Sequence, residues 1–138
     1  MGRRELREHI FRMLFRVEFN NADEMKEQEE LYFDDLEEAT GKDQDYILNK
    51  YRAIDEKKVE IDELINTVTQ GWKTSRMSIV DLTILRLATY EIKWDEDVPE
   101  SVAINEAVEL AKKYAAEEDS SFVNGLLSSV SKGMTADV

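Results

Sequence analysis

Apolar residues return at helical spacing along almost the whole chain, and nowhere does the two-residue alternation of a half-buried strand persist. In residues 3–19, Leu6, Ile10, Met13, Leu14 and Val17 share one face of a first helix. Asn20 and Asn21 end it, and Asp23 can open the next. Residues 23–39 read as a second, strongly acidic helix with Met25, Leu31, Tyr32, Leu36 and Ala39 as its apolar content. Thr40-Gly41 is a stop signal for it. A third helix spans 43–53, with Tyr46, Ile47, Lys50 and Tyr51 interleaved, and a fourth spans 57–69, with Val59, Ile61, Leu64, Ile65 and Val68, closed by Gly71.

The segment GWKTSR is a connector, after which Ser78 can cap a fifth helix running through Lys93. Ile79, Val80, Leu82, Ile84, Leu85, Leu87, Ala88, Tyr90 and Ile92 cover nearly its whole circumference. A helix apolar all round belongs at the centre of a domain. WDEDVPE then breaks the chain at Pro99. A sixth helix, 100–115, carries Ala103, Ile104, Ala107, Val108, Ala111 and Tyr114 as a stripe. EEDS caps a seventh, 120–130, lined by Phe122, Val123, Leu126, Leu127 and Val130, and 132–138 reads as a frayed tail. The pattern predicts an all-α fold: one domain over residues 1–138, of about seven helices, built around a buried fifth helix.

Composition agrees. One proline and five glycines in 138 residues are poor material for a β-sandwich or a disordered chain. With no cysteine, neither a disulfide framework nor a thiolate metal site is available. No apolar run reaches the roughly 18 residues of a membrane span, and no apolar stretch with a cleavage site follows the basic start. A cytoplasmic protein with no membrane partner is the expectation.

Charge changes the picture more. The formal net charge is −13, yet the first sixteen residues hold five arginines (Arg3, Arg4, Arg7, Arg12, Arg16) against Glu5 and Glu8, a net of +3. A body this acidic repels phosphate at long range, so any nucleic acid must meet a local patch, and the N-terminus is the place for it. Salt bridging accounts for Arg12, four residues after Glu8. It accounts less well for Arg3, Arg4 and Arg7, because cations in the first turns of a helix oppose its dipole. Bidentate phosphate contacts would explain them.

Catalytic chemistry is largely excluded. The single histidine, His9, cannot supply the paired Glu-x-x-His motifs of a helical di-iron site or the two or three nitrogens of a zinc centre. On the polar side of the first helix it reads as solvated. No Gly-rich phosphate loop and no nucleophile elbow occurs. The expectation is no enzyme, no metal and no cofactor. EEDSSFVNGLLSS is the other unusual stretch. Phe122 suits either core packing or stacking of an unpaired base. Asn124 could hydrogen-bond a base. Gly125 within a helix costs roughly 1 kcal/mol against alanine, which close packing of a second helix or close approach of a ligand would justify.

VDLTILRLATYEI, DVPESVAINEAVELAKKYAAEEDSSFVNGLL and RRELREHIFRMLFRVEFN resemble the NusB family almost end to end. The acidic middle, 23–70, matches only in helical pattern. The resemblance implies seven helices in two small bundles. It implies a transcription antitermination factor that binds boxA-type single-stranded RNA together with NusE, also a small-subunit ribosomal protein, and helps assemble an antitermination complex on RNA polymerase, notably at ribosomal RNA operons. Carried over by position, RNA contacts fall on Arg3, Arg4, Arg7, Glu118, Phe122 and Asn124, and partner-protein contacts on Phe15 and Asp81. Phe11 and Phe15, taken as exposed, would serve either NusE or a second copy in a homodimer; monomer and dimer both stay open. Glu5 and Ser121 stand where relatives commonly carry positive charge, so RNA binding by the isolated protein is expected to be weak. About three phosphate contacts give a log–log salt slope near −2.

Three other readings remain. A NusB-like domain opens some ribosomal RNA cytosine methyltransferases, but no methyltransferase domain follows in this sequence. A helical adaptor that binds only protein, having lost RNA affinity, is the rival from another class. A carboxylate-based hydrolase is disfavoured by the lone histidine.

Overall fold

The computed structural model describes residues 1–69 and 73–133. Among these it has seven α-helices, one 3-10 turn and no β-strand. Its contacts divide the chain into two compact units, Met1–Asp55 and Glu56–Val138.

The first unit holds α1 (Arg3–Val17), α2 (Ala22–Asp34) and α3 (Gly41–Glu56). The cap of α2 is Asn21 rather than Asp23. Its side chain accepts from the Glu24 N–H at 2.8 Å, and the Glu24 carboxylate accepts from the Asn21 N–H at 2.9 Å. This reciprocal box satisfies two helix-end donors at once, which a cap at Asp23 would not. Helix α2 also ends five residues before the expected 39. Thr40-Gly41 does not stop it but starts α3: Thr40 Oγ1 accepts from the Asp43 N–H at 3.1 Å, and Asp43 Oδ2 accepts from the Thr40 N–H at 3.0 Å. These hydrogen bonds hold the Asp43 carboxyl below its ordinary pKa.

A cross-tie joins α2 to α3. Arg52 binds Glu29 through both carboxylate oxygens, at 2.8 and 3.2 Å, and Tyr51 donates to the same carboxylate at 2.5 Å. Burial, then this carboxylate, pushes the Tyr51 phenol well above its ordinary pKa. Ile10, Met13, Ile47 and Ile54 are among the fully enclosed apolar side chains of the unit.

The second unit holds α4 (Lys58–Val68), a 3-10 turn (Thr74–Arg76), α5 (Ile79–Trp94), α6 (Glu100–Tyr114) and α7 (Glu117–Lys132). Ser78 caps α5 as expected, accepting from the Asp81 N–H at 3.1 Å. Every residue from Asp81 to Ala88 is buried, as is Thr89, and α5 packs against α4, α6 and α7. The central position of the fifth helix thus holds within this unit. Arg86 on α5 grips Asp62 on α4 with two hydrogen bonds of 2.8 Å. Of the apolar residues assigned to α4, Ile61, Ile65 and Val68 are buried while Val59 lies outside the core. Helix α7 begins three residues before the expected Ser120, so the acids of EEDS lie in its first turn, where negative charge suits the helix dipole. It ends at Gly133, whose φ of +68° is the left-handed stop that glycine adopts without strain. The stop expected at Gly71, the first half of the GWKTSR connector and the tail from 134 lie outside the described residues.

Candidate nucleic-acid interface

The five arginines of α1 do not form one patch. Gly2 stands at the N-cap and offers no side-chain hydrogen bond, so the first backbone N–H groups of α1 keep their affinity for an anion. Arg3 and Arg4 sit there, both exposed although Arg4 also makes a contact within the protein, with exposed Glu5 between them and the next turn. Arg7, read from the sequence with them, is only 7% exposed and is engaged within the protein. Arg12 pairs with Glu8 at 3.2 Å, the intrahelical bridge its spacing predicts. Arg16 turns to α2: it donates to Gln28 Oε1 at 3.1 Å and lies 4.7 Å above the Tyr32 ring.

His9 corrects the sequence reading outright. It is not solvated. It is 7% exposed, and its Nδ1 makes a 2.5 Å hydrogen bond with the Tyr32 hydroxyl. Burial first, then the Arg12 charge, lowers its pKa, so the ring is neutral at physiological pH. Phe11 is corrected too: it is buried, while Phe15 is half-buried, and the ladder of rings reaches the surface at Phe19, 5.2 Å from Phe15 between centroids.

In the second unit, α7 presents Glu118 and Asn124 to solvent, with Phe122 half-buried between them. Val123, Leu126, Leu127 and Val130 are fully buried. Phe122 is therefore at the edge of the core, able to pack with one side and offer the other. A Cβ added at Gly125 would meet nothing within 4 Å. No helix packs closely there, so close packing of a second helix does not account for this glycine.

Asp81 is 9% exposed, and its Oδ1 has no hydrogen-bond partner among the described residues. Its carboxyl faces that of Asp119, on the first turn of α7. Burial, and then this second acid, push its pKa up to about 6. No pattern along the chain announces this pair, since 38 residues separate its members. Nor does any local pattern announce the His9–Tyr32 bond or the turn of Arg16 toward α2: each depends on how two helices meet.

Among the described residues, no three His, Cys, Asp or Glu side chains are grouped to hold a metal ion, and no helix is long and apolar enough to cross a membrane. What the surfaces offer is two exposed guanidiniums at an uncapped helix start, and an aromatic–amide pair on α7.

The model of the NusB family matches residues 4–132. A transcription antitermination protein NusB from Lachnoclostridium phytofermentans is 53% identical over 130 residues, covering 94% of this chain and 98% of its own. The chain belongs to the NusB family. A NusB structure from T. maritima has the same fold, with a TM-score of 0.83 at 34% identity over 98% of this chain and 94% of that one. Antitermination factors NusB and NusE have been crystallised with double-stranded RNA, and one chain of that complex matches this fold with a TM-score of 0.81 at 24% identity, over 95% of this chain and 96% of that one.

Proposed function

We propose that this NusB-family chain is a transcription antitermination factor, acting in the cytoplasm as one RNA-binding domain. It binds boxA-type single-stranded RNA jointly with NusE and helps assemble an antitermination complex on RNA polymerase, mainly at ribosomal RNA operons. The observation that carries this reading is the exposure of Arg3 and Arg4 at the uncapped start of α1, in a chain otherwise strongly acidic. Arg3 and Arg4 take phosphate; Phe122 stacks a base and Asn124 reads its edge; Glu118 accepts from a base amine. Arg7 supports the patch by charge from within, since its burial keeps it from a direct contact. Phe15 and its exposed neighbour Phe19 offer an aromatic surface to NusE or to a second copy; Asp81, the other position the family resemblance assigns to the partner, is buried against Asp119 and acts from beneath the surface.

Two accessible guanidiniums, not three, set the salt dependence: a log–log slope of about −1.4 for a single strand. Fluorescence anisotropy tests the reading. A labelled boxA-type strand, a scrambled strand and a duplex are titrated with and without NusE. The expected result is a preference for the boxA strand that NusE tightens. Arg4→Ala should flatten the slope by about 0.7. Phe122→Ala should weaken binding by the ~1–3 kcal/mol of one stacked base. Equal or absent binding to every RNA, with NusE present, would move the function to a protein-only adaptor. The burial of Arg7 and the acids Glu5 and Glu117 beside the proposed contacts favour that second reading.

A further inference from the structure

The remaining basic residues of α1 line a cavity of about 310 Å³ between α1 and α2 of the first unit. By helix rise Arg12 and Arg16 lie roughly 12–20 Å along α1 from Arg3 and Arg4. The cavity is therefore separate from the proposed phosphate patch.

Its walls are unusual for this acidic protein. The His9–Tyr32 hydrogen bond and the edge-to-face contact of the two rings, 83° apart at 5.7 Å, fix the Tyr32 ring in place. The Arg16 guanidinium lies over that ring. Gln28 takes one of its N–H groups, and a guanidinium has five, so most of the fork is left for an acceptor. Arg12, one turn earlier, pairs with Glu8 at an exposed site, where such a bridge contributes little and exchanges readily. Leu31, 51% exposed, supplies an apolar wall, and Asp35 a carboxylate.

Each element has a counterpart in a nucleotide. A base stacks on a guanidinium plane or lies against an apolar wall. A phosphate takes two N–H bonds from one arginine and a charge from the next. The carboxylate of Asp35 accepts best from a base edge with adjacent N–H donors, which guanine has and uracil lacks. The volume is at the lower end of ligand pockets, about 300 Å³, and the site is open on one side, which accommodates one nucleotide.

We propose that this cavity is a nucleotide site that takes a guanosine 5′-monophosphate unit, either free or as one residue of a single RNA strand. The RNA source rests on the function proposed above; the free-nucleotide source does not.

The test uses the full chain, isotope-labelled, and follows the ring resonances of His9 and Tyr32 by NMR, with affinities from calorimetry. The ligands are guanosine monophosphate, uridine monophosphate, inorganic phosphate, and a short single strand with and without guanine. Guanosine monophosphate should shift both rings and bind several-fold tighter than uridine monophosphate, and tighter still than phosphate. Arg16→Ala should weaken it by about tenfold or more, the loss of charge-assisted hydrogen bonds. Asp35→Asn should erase the difference between the two nucleotides. If Arg16→Ala fails to fold, Arg12→Gln, a change at an exposed side chain, carries the same comparison. Ring shifts and arginine dependence with the guanine strand alone would assign the site to RNA. Binding of free nucleotide without boxA recognition would sink the antitermination reading and leave the site. Binding of boxA RNA with silent His9 and Tyr32 rings would do the reverse. Silent rings with all the ligands, or affinities that neither arginine change alters, overturn the proposal.

Discussion

Replacing Asp81 with asparagine should make the protein more stable at neutral pH, and the gain should vanish in acid. In the folded protein the Asp81 carboxyl titrates at about 6 against an ordinary 3.8, because it is buried and faces Asp119. A raised carboxylate pKa means that the folded state holds the proton more tightly than the unfolded one. The pair therefore costs nothing below the unfolded pKa, and stability falls as pH rises through about 6. At 1.36 kcal/mol per pH unit the whole shift would be worth ~3 kcal/mol. Solvent screens Asp119, which is half-buried, so about 1–2 kcal/mol is the expected penalty above pH 7. Asparagine keeps the shape, carries no charge, and can donate an N–H to Asp119. Urea unfolding followed by circular dichroism, at a series of pH values, gives the comparison. The Asp81→Asn variant should exceed the wild type by ~1–2 kcal/mol at about pH 7.5, and the difference should shrink toward zero as pH falls below about 4. A difference that does not change with pH would refute the reasoning, as would an Asp81 carboxyl that titrates by NMR in the ordinary aspartate range.

The His9 ring has the opposite linkage: its lowered pKa means that stability is full above its ordinary 6.5 and is lost as pH falls below it. Replacing His9 with glutamine should flatten that acid limb in the same urea series, and an unchanged limb would deny that the ring is buried neutral. Arg86→Leu leaves Asp62 without its two 2.8 Å hydrogen bonds and should destabilise by about 3 kcal/mol, while the double change with Asp62→Leu should recover most of the loss. If the single and double variants unfold at the same urea concentration, the pair is not what ties α4 to α5. Gly125→Ala adds a methyl group into open space and should raise stability by up to about 1 kcal/mol. If RNA approaches the backbone there, the same change should weaken boxA binding in the anisotropy assay, and unaltered affinity would remove Gly125 from the interface.

What could be read from the sequence divides along a physical line. Features decided by residues within one turn were legible: the Ser78 cap, the Glu8–Arg12 bridge, and the all-round apolar pattern that put α5 at the centre of its unit. The errors at helix ends were also local, but each came from choosing between two valid signals. Thr40-Gly41 fits a helix stop, yet Asp43 three residues later makes it a reciprocal start. Asp23 fits a cap, yet Asn21 with Glu24 satisfies two donors where Asp23 would satisfy one. Illegible were the contacts that need two helices, and these decide what the arginines can do. Five identical side chains on one helix look like one basic patch. Packing separates them into an exposed pair at the helix start, one buried guanidinium, one surface ion pair, and one cation laid on a tyrosine ring. The histidine that looked solvated holds that ring in position. The charge of a segment can thus be counted from sequence, but the number of phosphates it can reach cannot, and the salt slope of RNA binding measures the difference directly: about −2 for three contacts, about −1.4 for the two that the fold leaves exposed.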